Sequence, residues 1–236
     1  MVSEPVALIT GVGRRVGIGA AIAERLRADG WTVVTTRWSD YDRRMPWGAD
    51  ETTFGMEADL ADPGTPARLF DQVSAEYGVV RALVLAHCES VDSGVLDTTV
   101  ESFDRHFAVN ARASWLLIRE FARRYPGPPG VGRIVALTSD DVVHNLPYGA
   151  SKGALDRIVL AAARELGHLG ITANAVNPGP VDTGWMDEPL RAELQARTPL
   201  GRLGLPRDCA GLVSFLCGPD GGWLTGQLLL SNGGFT

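Results

Sequence analysis

Short apolar runs alternate with amphipathic stretches along almost the whole chain, and this alternation constrains the fold more than any other feature. The strand-like runs fall at Val6–Thr10, Thr32–Arg37, Thr53–Asp59, Ala82–His87, Gly132–Thr138, Thr172–Asn177 and Gln227–Leu230. Several are apolar without a two-residue alternation, the pattern of parallel strands covered on both faces. Helical periodicity fills the gaps at Ile18–Asp29, Ala67–Tyr77, Val100–Tyr125, Tyr148–Leu169 and Asp208–Cys217. Repeated βα units of this length demand a parallel sheet with right-handed crossovers.

The first of these units carries a glycine-rich turn. Strand one runs into Thr10-Gly11-Val12-Gly13-Arg14-Arg15-Val16-Gly17-Ile18-Gly19, and a helix follows at once. Glycines there let the backbone approach a pyrophosphate, and the helix start offers unpaired N–H groups to it. Gly11, Arg14, Arg15, Gly17, Ile18 and Gly19 are therefore candidate cofactor contacts. The expected fold is α/β: a Rossmann-type, doubly wound, seven-stranded, mostly parallel sheet with helices on both faces. No linker or repeat divides residues 1–236, so one NAD(P)-binding domain is expected. Gly184–Arg202 matches neither period and is too long for a plain connection, which suggests a substrate lid.

Bulk properties exclude several classes. A net charge of -6, with 22 basic and 28 acidic residues and no long like-charge block, disfavours nucleic-acid binding. Cys88, Cys209 and Cys217 lack metal-ligand spacing, so no metal is expected. With no run of about 18 apolar residues and no leader-like start, a cytoplasmic protein without a membrane span is expected.

Arg37 ends the second strand, where the adenosine ribose is normally met. An Arg there can pair with a 2′-phosphate, so NADP(H) is favoured, with NAD(H) possible if Asp40 or Asp42 binds the ribose instead. Trp38 could stack on adenine or pack on Pro46. Tyr148 and Lys152 lie four apart at a helix start and so share one face. A nearby ammonium favours phenolate, which would bring a tyrosine toward acid–base work at neutral pH.

Three motifs together resemble the short-chain dehydrogenase/reductase family from Val6 to Gly234. They are Tyr148-Gly149-Ala150-Ser151-Lys152, Asn177-Pro178-Gly179-Pro180-Val181-Asp182-Thr183, and Leu224-Thr225-Gly226-Gln227 with Asn232-Gly233-Gly234. Among its members the chain looks most like 3-oxoacyl-[acyl-carrier-protein] reductases. The resemblance implies that Tyr148 is the general acid, that Lys152 also holds the nicotinamide ribose, and that Ser139 orients the substrate, with Thr138 as the fallback. It implies that Asn110 supports a water relay to Lys152, although a structural hydrogen bond is the alternative. It also assigns cofactor contacts to Asp59, Leu60, Ala86, Pro178, Gly179, Val181 and Thr183. Three departures stand out. The glycine-rich turn is two residues longer than the common pattern, and Ser139 to Tyr148 is about four shorter. Leu85-Ala86-His87-Cys88 replaces Asn-Asn-Ala-Gly.

The expected activity is hydride transfer between a nicotinamide and a carbonyl or secondary alcohol; a catalytically idle NADP-binding sensor or assembly subunit is the alternative. The substrate is open between a small molecule and a carrier-linked carbonyl. Arg119, Arg123 and Arg124 could dock an acidic carrier or simply complement a helix dipole. The resemblance further implies a homo-oligomer, tetramer or dimer, built on the two long helices.

Overall fold

In a computed structural model of the protein, which describes residues 4–50, 55–127 and 131–235, seven strands form one sheet. They are β1 (Val6–Thr10), β2 (Thr32–Arg37), β3 (Met56–Glu57), β4 (Val80–Leu85), β5 (Gly132–Leu137), β6 (Ile171–Asn177) and β7 (Leu228–Leu230). Their spatial order is β3-β2-β1-β4-β5-β6-β7, and every pairing is parallel. Among the described residues of the expected third strand only Met56 and Glu57 pair, and Thr53 and Phe54 lie outside the described residues. Strand β4 sits two residues earlier than expected, because the chain leaves the sheet at Ala86.

Side chains leave a strand on alternate faces, and the core divides accordingly. Ala7, Ile9, Val84 and Val135 point to the layer formed by α1 (Ile18–Ala28) and α8 (Pro206–Cys217). Leu8, Leu83, Leu85 and Ile134 point the other way, onto α3 (Thr65–Tyr77), α5 (Ala113–Arg124) and α6 (Leu146–Glu165). Full burial of each such aliphatic side chain contributes roughly 1.5–3 kcal/mol. This double cover is why the strands read as continuous apolar runs.

Three helical features differ from expectation. The stretch Val100–Tyr125 is not one regular helix: α4 (Val100–His106) passes through a π-turn, Phe107–Arg112, before α5 resumes. A short α2 (Ser39–Arg44) follows β2, and the segment thought to lack a helical period holds α7 (Glu188–Arg197). Asp187 caps α7 by accepting from the Leu190 amide at 3.0 Å. No residue of α7 is buried, so it carries no apolar stripe to reveal it. Among the described residues, no helix is long and apolar enough to cross a membrane.

The strand order reverses between β1 and β4. In open α/β sheets ligands bind at such a switch point, outside the carboxyl ends of the strands.

Candidate active site

A cleft of about 1320 Å³ opens at that point, running from the glycine-rich turn to α7. Gly11 adopts φ +77°, and a Cβ there would stand 2.4 Å from the His87 Cα, so the turn lies directly on the chain leaving β4. The two extra residues of the turn are absorbed in a tight reversal closed by Gly17 N–H to the Arg14 carbonyl at 3.1 Å. Gly17 is the N-cap of α1 and offers no capping side chain, so the first-turn N–H groups remain available to an anion. Gly19 packs so closely on the Gly11 carbonyl that a Cβ would come within 2.9 Å. This cradle fits a dinucleotide pyrophosphate.

The adenosine end is densely charged. Arg37 meets Glu57, its register partner on the neighbouring strand, with Nε–Oε1 at 2.9 Å. Glu57 also accepts from the Ser39 hydroxyl, and from the Ser39 amide at 3.1 Å. Burial pushes the Glu57 carboxyl up, but the Ser39 bonds and the Arg37 charge outweigh it and hold it below the usual carboxylate range. Arg14 donates to the Thr183 carbonyl at 2.7 Å and stacks 4.5 Å over the Trp47 ring. Asp42 is buried against Gly13 and accepts from the Trp47 indole at 3.1 Å. Arg15 is exposed, its amide bonded to Asp50 at 3.0 Å. Trp38, Asp59, Leu60 and Ala86 line the same wall, and the Asp59 carboxylate accepts from the Ala61 amide at 2.9 Å.

Around the far end, β5 and α6 carry the residues that the sequence motifs single out for acid–base chemistry. The Lys152 ammonium is buried, donates to the Leu137 carbonyl at 2.8 Å and stands 5.5 Å from the Tyr148 ring centroid. Ser139 and Tyr148 both line the cleft despite the shortened segment between them, and the Ser139 hydroxyl accepts from the Asp141 amide at 3.1 Å. That segment folds back so tightly that a Cβ on Gly149 would lie 2.3 Å from the Asp141 carbonyl, and His144 takes φ +58°. Thr138, the fallback, faces inward and is buried. The expected acidification of Tyr148 is not what the geometry gives. Burial first, and the neighbouring Asp141 charge, push the phenol up, and the Ser139 hydroxyl only partly offsets them. Burial likewise pulls the Lys152 ammonium down.

Asn110 sits in the π-turn, a local widening frequent at functional sites. Its side chain accepts from the Glu89 amide at 2.7 Å, and donates to the Glu89 carbonyl and the Ser151 hydroxyl, each at 2.9 Å. It thus ties the chain after β4 to α6 one residue before Lys152. Pro178, Gly179, Val181 and Thr183 follow β6 along the cleft floor. Gly179, at φ +62°, admits Asn232 where a Cβ would meet it at 2.4 Å, which explains why the second and third motifs occur together.

Glu89 carries no sequence signal, whereas His87 and Cys88 stand out in the sequence as departures from the family pattern. Glu89 is buried between Arg44 and Arg105 at 3.2 and 3.0 Å, partners 45 and 16 residues away. His87 is enclosed: its Nε2 bonds the Val109 carbonyl at 3.1 Å, and its Nδ1 the Thr10 hydroxyl at 2.6 Å. A carbonyl only accepts, so Nε2 carries the proton and Nδ1 receives the Thr10 hydrogen. Burial and the Lys152 charge push His87 down to about 3, which makes it a neutral structural group. Cys88 lines the cleft with its thiol pushed up by burial, the opposite of an activated nucleophile. Arg119, Arg123 and Arg124 all turn onto the buried Glu120, and Arg124 also holds Asp71 at 2.7 Å.

Comparison with known proteins agrees with this fold. The family model described as enoyl-(acyl carrier protein) reductase matches residues 11–236. An uncharacterized oxidoreductase of Bacillus subtilis, YjdA, is 35% identical over 98% of this chain and 97% of its own. The 3-oxoacyl-[acyl-carrier-protein] reductase MabA of Mycobacterium tuberculosis is 31% identical over 96% of this chain and 91% of its own. Among solved structures, a blue fluorescent protein from a metagenomic library, in complex with NADPH, superposes with a TM-score of 0.85. It is 33% identical and covers 100% of this chain and 99% of that one.

Proposed function

This chain belongs to the short-chain dehydrogenases/reductases, nicotinamide-dependent oxidoreductases, and on that premise we propose that it is an NADP(H)-preferring carbonyl reductase with Tyr148 as general acid. The observation that carries this reading is the cluster where the end of β5 meets α6, in which half-buried Ser139 and Tyr148 line the cleft together and the buried Lys152 ammonium stands 5.5 Å from the Tyr148 ring centroid. The nicotinamide supplies hydride when bound. Tyr148 then gives its proton to the carbonyl oxygen while the Ser139 hydroxyl donates to the same oxygen as charge develops there. A phenol held above its ordinary pKa is protonated throughout the neutral range, as a proton donor must be. Lys152 spends one of its three N–H bonds on Leu137 and stabilises the phenolate left behind.

The NADP(H) preference is supported by Arg37 at the end of β2 and by the NADPH-bound relative. Exposed Val100, Phe103 and Trp115 on α4 and α5 support a homo-oligomer, a tetramer in our reading. The α7 segment is positioned to act as a substrate lid, since Leu190 and Leu194 line the cleft.

The test is Tyr148→Phe, assayed with NADPH against a panel of ketones and aldehydes. Turnover should fall roughly a hundredfold to ten-thousandfold, with NADPH affinity held within about threefold by fluorescence titration. Full turnover in that variant would remove the phenol from the mechanism.

A further inference from the structure

The substrate mouth differs in charge from the rest of the cleft. Asp140 and Asp141 follow Ser139 directly, are exposed, and line the opening together with Asp92. Among the described residues none of the three is ion-paired; Asp141 accepts only from the Asn145 amide, at 3.1 Å. The Asp141 charge reaches the reactive phenol, since it is one of the groups that push Tyr148 up.

Cations at this end are engaged elsewhere. Arg197, across the mouth on α7, lies 4.6 Å over the Phe235 ring and 3.7 Å from Glu193. Arg191 is held by Asp182, and Arg202 by Asp208 at 2.6 Å. The arginines of α5 that could have drawn in an acidic carrier converge on Glu120 and Asp71.

Apolar side chains, by contrast, stand open. Val142, Val143 and Trp185 line the mouth and remain 64%, 71% and 52% exposed. Large exposed apolar groups around a polar catalytic centre mark where an apolar ligand is covered.

We propose that this mouth selects neutral, apolar carbonyl compounds and rejects acyl groups borne on polyanionic carriers. The selection rests on the carbonyl-reductase reading and refines it. The apolar rim covers the substrate's hydrocarbon, while Asp92, Asp140 and Asp141 repel phosphate-bearing or acidic carriers as they approach.

The experiment compares one reacting group on two supports, acetoacetyl-N-acetylcysteamine and acetoacetyl-coenzyme A, with NADPH as the reductant. The neutral thioester should show the higher kcat/KM by at least about tenfold at low salt. The gap should narrow between about 20 and about 300 mM salt, across which the Debye length shrinks several-fold. An Asp140→Asn, Asp141→Asn double variant should raise the coenzyme A rate relative to the neutral one. Equal rates, or a gap that neither salt nor the double variant changes, would overturn the proposal, the latter pointing to size rather than charge. Absence of turnover on both thioesters and on simple aryl ketones, with NADPH still bound, would fall on the reductase reading itself and remove the proposal with it.

Discussion

At the carbonyl end of the cleft, Lys152, Asn110 and His87 are buried and bond mainly to backbone carbonyls and amides, of Leu137, Glu89 and Val109. At the adenosine end, Arg37 and Glu57 answer one another, Ser39 joins them, and Arg14 lies between a carbonyl and the Trp47 ring. The Leu137 and Val109 carbonyls cannot move without disturbing β5 or the π-turn, and the Glu89 backbone is pinned through both its amide and its carbonyl by Asn110. Side-chain partners near solvent can exchange. The end proposed to hold the carbonyl is therefore fixed before any ligand arrives, as the proposed proton transfer would require, whereas the end proposed to hold the adenosine keeps its charges satisfied until a ligand takes a partner's place.

If burial governs the carbonyl end, acid should attack it first, and His87 gives the largest effect. Folded His87 titrates near 3 against about 6.5 when unfolded. Its contribution to stability is fully present above about 6.5. It is lost as the pH falls toward 3, because the unfolded chain takes up the proton and the folded one does not. The slope approaches about 1.4 kcal/mol per pH unit for one proton. His87→Gln should lower stability at pH 7 yet flatten the urea-unfolding profile between pH 6 and pH 4 by about one proton. An unchanged slope would show that His87 is hydrated, contrary to its enclosure by Thr10, Val109 and Ser114.

A smaller effect probes the shortened wall between Ser139 and Tyr148. Gly149→Ala puts a methyl 2.3 Å from the Asp141 carbonyl, a backbone atom that can retreat only by shifting the loop carrying Ser139. Overpacking of this kind costs about 1–3 kcal/mol. Expressed at the transition state it is roughly a tenfold to hundredfold loss of kcat, with NADPH affinity nearly unchanged. A loss in cofactor affinity instead would mean that the two ends are not mechanically separate.

The same division decides what the sequence could disclose. Tyr148 and Lys152 were legible because four residues in a helix place two side chains on one face, and the sheet was legible because double burial leaves unbroken apolar runs. The glycine-rich turn was legible because close backbone approach admits no side chain at Gly11. Pairings across the fold leave no periodic trace. Glu57 faces Arg37 only through the β2–β3 register, and Glu120 gathers three arginines that in sequence look like a free basic patch. The π-turn at Asn110 was hidden because one added residue in a helical ring barely disturbs the surrounding amphipathic pattern, and α7 because it buries nothing. Family likeness pointed to Asn110, but not to its bonds with Glu89 and Ser151.

Glu57 offers the finest test of exchange at the adenosine end. Its carboxylate, 46% exposed, occupies the guanidinium that the NADP(H) reading gives to a 2′-phosphate. A phosphate must share or displace it, whereas a ribose hydroxyl need not. Half-exposed ion pairs contribute about 0.2–1 kcal/mol, so Glu57→Gln should tighten NADPH binding by about twofold to fivefold and leave NADH within error. Arg37→Ala should act in the opposite sense, weakening NADPH selectively. Equal gains for both dinucleotides in Glu57→Gln would mean that the carboxylate acts on the shared pyrophosphate rather than on the 2′ position. A loss for NADPH would mean that Glu57 holds Arg37 in its binding pose, and the adenosine end would then be as fixed as the carbonyl end.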